Sequence, residues 1–259
     1  MAMLLGRRGF VTGALASTVS LAGCVSENVG GNGSLITRGS PKNAFGNWTL
    51  HERNSTANYA YSVVPDFTGT ASSSELERFE LRHGDCGGVD CQTDRQRYER
   101  MDLGGEMNQR ASYSISFFLP SNQRIGGPFT HIFQFFEKGA PNVPLMVNVM
   151  GWQKSVSWLY AEFATATGRE KVKLAKSSDI FGRWNTIDLD VHWANDGFYK
   201  AKLNGQTVLD ENTKTMFGTD RNLNIFHYGL YMGGVGRYER EFGSVPTRTI
   251  YFSKVEKYI

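Results

Sequence analysis

The chain of 259 residues lacks most of the features that mark specialised classes. It has only 7 prolines beside 29 glycines, which excludes collagen and proline-rich scaffolds. No apolar run is long enough to span a bilayer comfortably, and the mean hydropathy is −0.36 with 40% hydrophobic residues. Together these exclude an integral membrane protein and a wholly disordered one. Charge of one sign is not in excess: 28 Lys and Arg face 25 Asp and Glu, a formal +3. Internal repeats and βαβ alternation are also missing. The length suits one large single-core domain, of the size all-β sandwiches reach.

The first segment reads as an address. Residues 1–23 hold Arg7-Arg8-Gly9-Phe10-Val11, the arrangement of a twin-arginine export signal, then a small-residue apolar stretch from Ala14 to Ala22. Leu21-Ala22-Gly23-Cys24 is the pattern of a bacterial lipobox, in which Cys24 is lipidated. The expectation is a protein exported to the bacterial cell envelope, on the periplasmic side or the cell surface, with the lipid as its only contact with membrane. Removing Arg7 and Arg8 leaves a chain close to neutral, with no general attraction for nucleic acid. Residues 24–44 are rich in Gly, Ser and Asn and read as a flexible tether; the folded domain is expected over 45–259. Of the 3 cysteines, Cys86 and Cys91 remain, five apart on a glycine-rich loop. In an oxidising compartment they read as a disulfide; a metal site has no second Cys pair or Cys-His set to complete it.

Beyond residue 44 helical periodicity is nearly absent and period-two alternation recurs. Strands are expected over 113–119, 130–136, 144–150, 157–163, 184–193, 197–203, 206–209, 222–232 and 247–255, with Asn204-Gly205 as a hairpin turn. Residues 171–178 are expected to form a short helix or a loop. Strands rich in β-branched and aromatic residues, spaced by Gly, Asn and Asp turns, predict an all-β antiparallel sandwich.

Three blocks carry a resemblance. They are Arg78-Phe-Glu-Leu-Arg82 with Asp94-Arg-Gln-Arg97-Tyr-Glu99, then Trp184 to Trp193 with Leu203-Asn-Gly205, then Phe226-His-Tyr-Gly-Leu-Tyr231 with Thr249 to Phe252. Together they resemble the concanavalin A-like polysaccharide lyases that include heparin lyase I and glucuronan lyase. The resemblance implies a jelly roll whose concave sheet holds an acidic, uronate-containing polysaccharide, cleaved by β-elimination. It implies no required cofactor and admits a structural Ca²⁺ ion, for which scattered Asp and Asn give no ligand set.

That reaction needs a neutralised carboxylate, a base for the C5 proton and an acid for the leaving oxygen. Tyr231 ends the Gly-x-Tyr segment and is expected, by resemblance, to be proton donor and candidate base. His227, four residues earlier and the second catalytic candidate, shares its strand face, with Gly229 between them leaving room for a sugar. Arg78, Glu80 and Arg82 share one face, as do Arg95, Arg97 and Glu99. If the two strands are neighbours, the carboxylates orient arginines toward substrate, so Arg82, Arg95 and Arg97 are expected ligands. Gln134 and Asn148 are expected carboxylate or hydroxyl ligands. The family's Gln-x-His pair is incomplete, because Gln134 is followed by Phe135-Phe136. His131 lies on the opposite face of a regular strand and replaces the missing imidazole only across a bulge; His83, at the edge of the cysteine loop with Asp85, is the other candidate. His192 reads as structural, and Trp152 and Trp158 as sugar-stacking rings. Two alternatives stand beside the lyase. One is a carbohydrate-binding lipoprotein without chemistry. The other is a glycoside hydrolase, disfavoured because no Glu-x-Asp-x-x-Glu run supplies paired carboxylates.

Overall fold

The computed structural model describes residues 48–123, 127–151, 157–218 and 223–259. The expected signal segment, the expected lipidation site Cys24, the expected tether and Trp152 lie outside the described residues. Fourteen strands among the described residues form two antiparallel seven-stranded sheets. The first holds, in spatial order, β1 (Thr49–Leu50), β4 (Arg95–Glu106), β13 (Leu223–Gly233), β6 (Gly127–Glu137), β7 (Leu145–Gly151), β8 (Trp158–Thr165) and β9 (Gly168–Lys176). The second holds β12 (Gln206–Asn212), β11 (Phe198–Leu203), β10 (Trp184–Trp193), β5 (Gln109–Phe118), β14 (Arg248–Tyr258), β3 (Glu75–Leu81) and β2 (Tyr61–Pro65). This is the expected all-β sandwich.

The alternation that announced the strands also makes the core. In β10 the burial pattern is strictly every second residue, with Ile187, Leu189, Val191 and Trp193 inside. Phe133 and Phe135 of β6, Phe226, Tyr228 and Leu230 of β13 and Phe79 and Phe252 of the second sheet meet them. The Asn204-Gly205 turn closes the β11–β12 hairpin with φ of 52° and 82°, the double left-handed geometry of a type I′ turn.

Four elements depart from the sequence reading. β1 and β2 were not foreseen. Most of 171–178 is strand β9, where Val172, Leu174 and Ala175 pack on the core between outward lysines; helix α1 (Ser177–Ile180) follows. A two-turn helix α2 (Val235–Phe242) follows β13, capped at its start by backbone N–H bonds to Asp94. Among the described residues no helix is long and apolar enough to cross a membrane.

Among the described residues an ionic group joins β3 and β4 between the sheets. Glu77 of β3 is fully buried on the core face, paired with Arg100 of β4 and accepting hydrogen bonds from the hydroxyls of Tyr61 (2.8 Å) and Tyr228 (2.7 Å). Burial pushes the Glu77 carboxyl above its ordinary range, against the pull of Arg100 and the two phenols. Glu77→Gln removes the carboxylate that pairs with Arg100 in the interior. It is expected to lower unfolding free energy by about 3–5 kcal/mol, read by denaturant titration.

Candidate active site

The outer face of the first sheet carries polar side chains that are nevertheless buried. On β4 these are Arg97 and Glu99; on β13, His227 and Tyr231; on β6, His131 and Gln134; on β7, Asn148. Residues 51–55 and the cysteine loop border this face at the β4 side, making a recess. The side chain of Asn54 clamps the Glu99 backbone, accepting from its N–H and donating to its carbonyl, both at 2.8 Å. That anchors His51 over the recess, its ring 5.1 Å from that of His227. The Cys86–Cys91 disulfide is formed. Its loop delivers Asp90, fully buried, onto the Arg97 guanidinium through a short Nε contact and an Nη2–Oδ1 bond of 3.1 Å.

Glu99 is the centre of the group. Its carboxylate accepts from Gln134 Nε2 at 2.9 Å and Arg97 Nη1 at 3.2 Å, and His227 Nδ1 stands 3.6 Å away, an electrostatic contact longer than a hydrogen bond. Burial pushes this carboxyl up, but His227, Arg97 and His51 outweigh burial and hold it at about 2. Both ring nitrogens of His227 and Nδ1 of His131 are buried without a hydrogen-bond partner among the described residues. Burial lowers His51 and His131 to about 4, so both imidazoles are neutral at pH 7. Tyr231 lies under Arg97, whose guanidinium carbon is 4.0 Å from the ring centroid, and stacks on His131 at 5.1 Å and 24°. Burial raises its phenol, outweighing Arg97 and Arg95, so it is protonated near neutrality.

His131 reaches this face because the sheet is irregular there. The β6–β7 ladder shifts between His131 and Phe133, and the β13–β6 ladder shifts between Tyr228 and Tyr231. Ile132 and Phe133 are consecutive yet both sit in the core, so the alternation restarts and His131 joins Gln134 outside. Gly229, at the shift, has φ of 135°. A Cβ there would run into the Tyr98 carbonyl oxygen and come within 3.1 Å of Phe79 Cδ1 in the core. The glycine is therefore required by the backbone bend, not by room for a sugar.

Of the expected ligands, Arg97, Gln134, Asn148, His227 and Tyr231 come together. Arg95 is exposed at the end of the same face, close enough to act on the Tyr231 phenol. Arg82 does not join them. β3 and β4 belong to different sheets, so Arg78, Glu80 and Arg82 form a separate ladder in which Arg82 lies 3.7 Å over the Tyr59 ring and pairs with Glu80 at 2.6 Å. His83 is also elsewhere, exposed and 3.1 Å from Glu239 of α2. Asp188 and Asp190 bond Ser114 and Ser112 on the second sheet. His51 and Asp90 were not foreseen. Asp90 had a signal, as the one charged residue inside the cysteine loop; His51 had none.

His51, Glu99 and His227 offer ligand atoms within 4.8 Å of one another. The Arg97 guanidinium, 3.2 Å from His51 Nε2, puts a fixed positive charge in the same space. Two imidazoles also suit Ca²⁺ poorly, since it takes oxygen ligands. The donor set therefore does not fit Ca²⁺.

A family model described as polysaccharide lyase matches residues 42–256. The chain belongs to the polysaccharide lyase family. The lyase is similar in fold to an endo-β-1,4-glucuronan lyase from the fungus Trichoderma reesei, 18% identical over 82% of this chain and 90% of that one, with a TM-score of 0.59. It is also similar to a family 7 alginate lyase with bound product (12% identity, 82% and 95% coverage, TM-score 0.55). An alginate lyase from Pseudomonas aeruginosa is a third (12% identity, 70% and 81% coverage, TM-score 0.51). No curated protein matches the lyase in sequence. At these identities the structural likeness establishes the concanavalin A-like sandwich.

Gly229→Ala is expected to lower the stability of the lyase by about 1–3 kcal/mol through the left-handed backbone alone, with the carbonyl contact adding to it. Denaturant unfolding of the variant beside the parent checks this.

Proposed function

We propose that the lyase cleaves a uronic-acid-containing polysaccharide by β-elimination, with Tyr231 as proton donor. The observation that carries this reading is the meeting of a protonated phenol, a neutral imidazole and several hydrogen-bond donors around one fixed carboxylate. The glucuronan and alginate lyases of similar fold act on uronate polymers, which supports the substrate class. The twin-arginine and Leu21-Ala22-Gly23-Cys24 patterns support a lipid-anchored enzyme of the bacterial envelope.

In this reading Arg97, Gln134 and an N–H of His227 hold the uronate carboxylate. They stabilise the enolate-like charge that grows as the C5 proton leaves. The C5–H electron pair becomes the C4–C5 double bond as the bond from C4 to the glycosidic oxygen breaks. That oxygen takes the Tyr231 proton, and Arg97, 4.0 Å from the ring, stabilises the phenolate left behind. A raised phenol suits an acid and not a resting base, so the base is assigned to His131, the neutral imidazole stacked on Tyr231. The presence of His131 on this face supports the catalytic reading over the non-catalytic alternative.

Tyr231→Phe is expected to lower kcat by about 100- to 10,000-fold, followed by the ultraviolet absorbance of the unsaturated product. Its melting temperature should stay within about 3 °C of the parent's, since Tyr231 is outside the core. An active Phe variant would remove the mechanism. For His131, kcat/KM should be level above about pH 5 and fall as pH drops through the imidazole value of about 4. An acid limb near the ordinary imidazole value of about 6.5 would assign the base elsewhere. The same lowered value means stability declines as pH falls from about 6.5 toward 4, because the unfolded chain then binds protons the folded one does not, so the profile needs circular dichroism beside it.

A further inference from the structure

The recess around Tyr231 holds little net positive charge. Arg97, its one deeply placed cation, is already matched by Asp90 and Glu99, and His51 and His131 are neutral at pH 7. A polyanion needs attraction from another part of the same face. Strand pairing shows where it is. Arg97 lies opposite Tyr231, Tyr231 opposite His131, His131 opposite Asn148, Asn148 opposite Tyr160 and Tyr160 opposite Lys173. This is one continuous row of side chains running across six strands. From Tyr231 to Lys173 it crosses four inter-strand steps, about 19 Å, enough for several sugar units.

At its far end the row becomes cationic. Lys173 Nζ stands 4.6 Å and Lys176 Nζ 5.9 Å from the Trp158 ring centroid, and Lys171 Nζ is 4.7 Å from that of Tyr160. The rings hold the ammonium groups over the outer face. Lys171 is matched by Glu162 at 2.8 Å. Lys173 and Lys176 have no carboxylate partner among the described residues. Lysines on an edge strand also discourage sheet-to-sheet pairing. That role needs no alignment with the Tyr231 row and no aromatic support, and both are present.

We infer that Lys173 and Lys176, seated on Trp158, form a distal subsite for the carboxylates of an anionic polysaccharide lying across the strands from Tyr231. The inference rests on the uronate-lyase reading for the direction of the chain. The subsite draws the polymer to the face electrostatically and favours long chains over short ones, since a short oligomer placed at Tyr231 does not reach it.

The test compares the parent with Lys173→Gln, Lys176→Gln and the double variant on polymeric glucuronan and alginate and on their trisaccharides. For the polymer that the parent cleaves, the double variant is expected to raise KM about tenfold, equivalent to about 1.4 kcal/mol, with kcat, trisaccharide cleavage and melting temperature unchanged. The salt dependence of polymer binding should also weaken. Equal KM, or an equal loss on the trisaccharide, would overturn the subsite. Direct binding of the same polymers to parent and double variant separates this from the chemistry. If the parent binds without cleaving and the variant binds less, the subsite stands and the lyase reading fails. If parent and variant bind alike, or the parent binds neither polymer, the subsite falls.

Discussion

A fully buried carboxylate on the outer face of a sheet is costly unless it is matched, and Glu99 is matched on every side. Arg97 and Gln134 donate to it, His227 stands beside it, and Asn54 fixes its backbone from the opposite edge. Those demands set the positions of the groups expected to meet substrate. The guanidinium cannot turn away without stranding Glu99, and the Gln134 amide is held with one donor engaged. His227 is left with nitrogens that the protein does not satisfy. A buried group without a partner in the free enzyme is poised for one that arrives with substrate.

Arg97 is held from its other side by Asp90, and Asp90 is where it is because the cysteine loop is short and closed. The disulfide thus acts on the site at one remove: it shapes a loop, the loop aims a carboxylate, and the carboxylate orients a guanidinium over the Tyr231 ring. Two carboxylates on one guanidinium give geometric certainty at the expense of net positive charge. The proposed assignment of long-range attraction to the lysines of β9 follows from that balance.

Most of the longer strands, the hairpin and the disulfide were legible because each depends on local signals: alternation, Asn-Gly, and cysteine spacing. The face shared by His227 and Tyr231 was legible for the same reason, since β13 keeps a regular register against β4 from Ile225 to Gly233. What was hidden depends on partners. Which strands are neighbours decides that Arg82 and Arg97 part company, and no periodicity within β3 or β4 encodes that. The bulges that bring His131 to the site are properties of the β13–β6 and β6–β7 ladders together, and Gly229 was the only trace of them in sequence. His51 is positioned by Asn54 gripping a strand 45 residues away.

Strand β4 shows how the two halves of the molecule constrain each other. Its inward face carries Arg100 against Glu77, and its outward face carries Arg97 and Glu99. Most strands resist a one-residue slip because their apolar side chains would be expelled from the core. A slip of β4 would in addition drive Arg97 and Glu99 between the sheets and pull Arg100 away from Glu77, leaving unmatched charges in an apolar interior. The ionic group between the sheets therefore helps to specify the register on which the recess depends. Stability and site geometry are linked through the same strand, one face serving each.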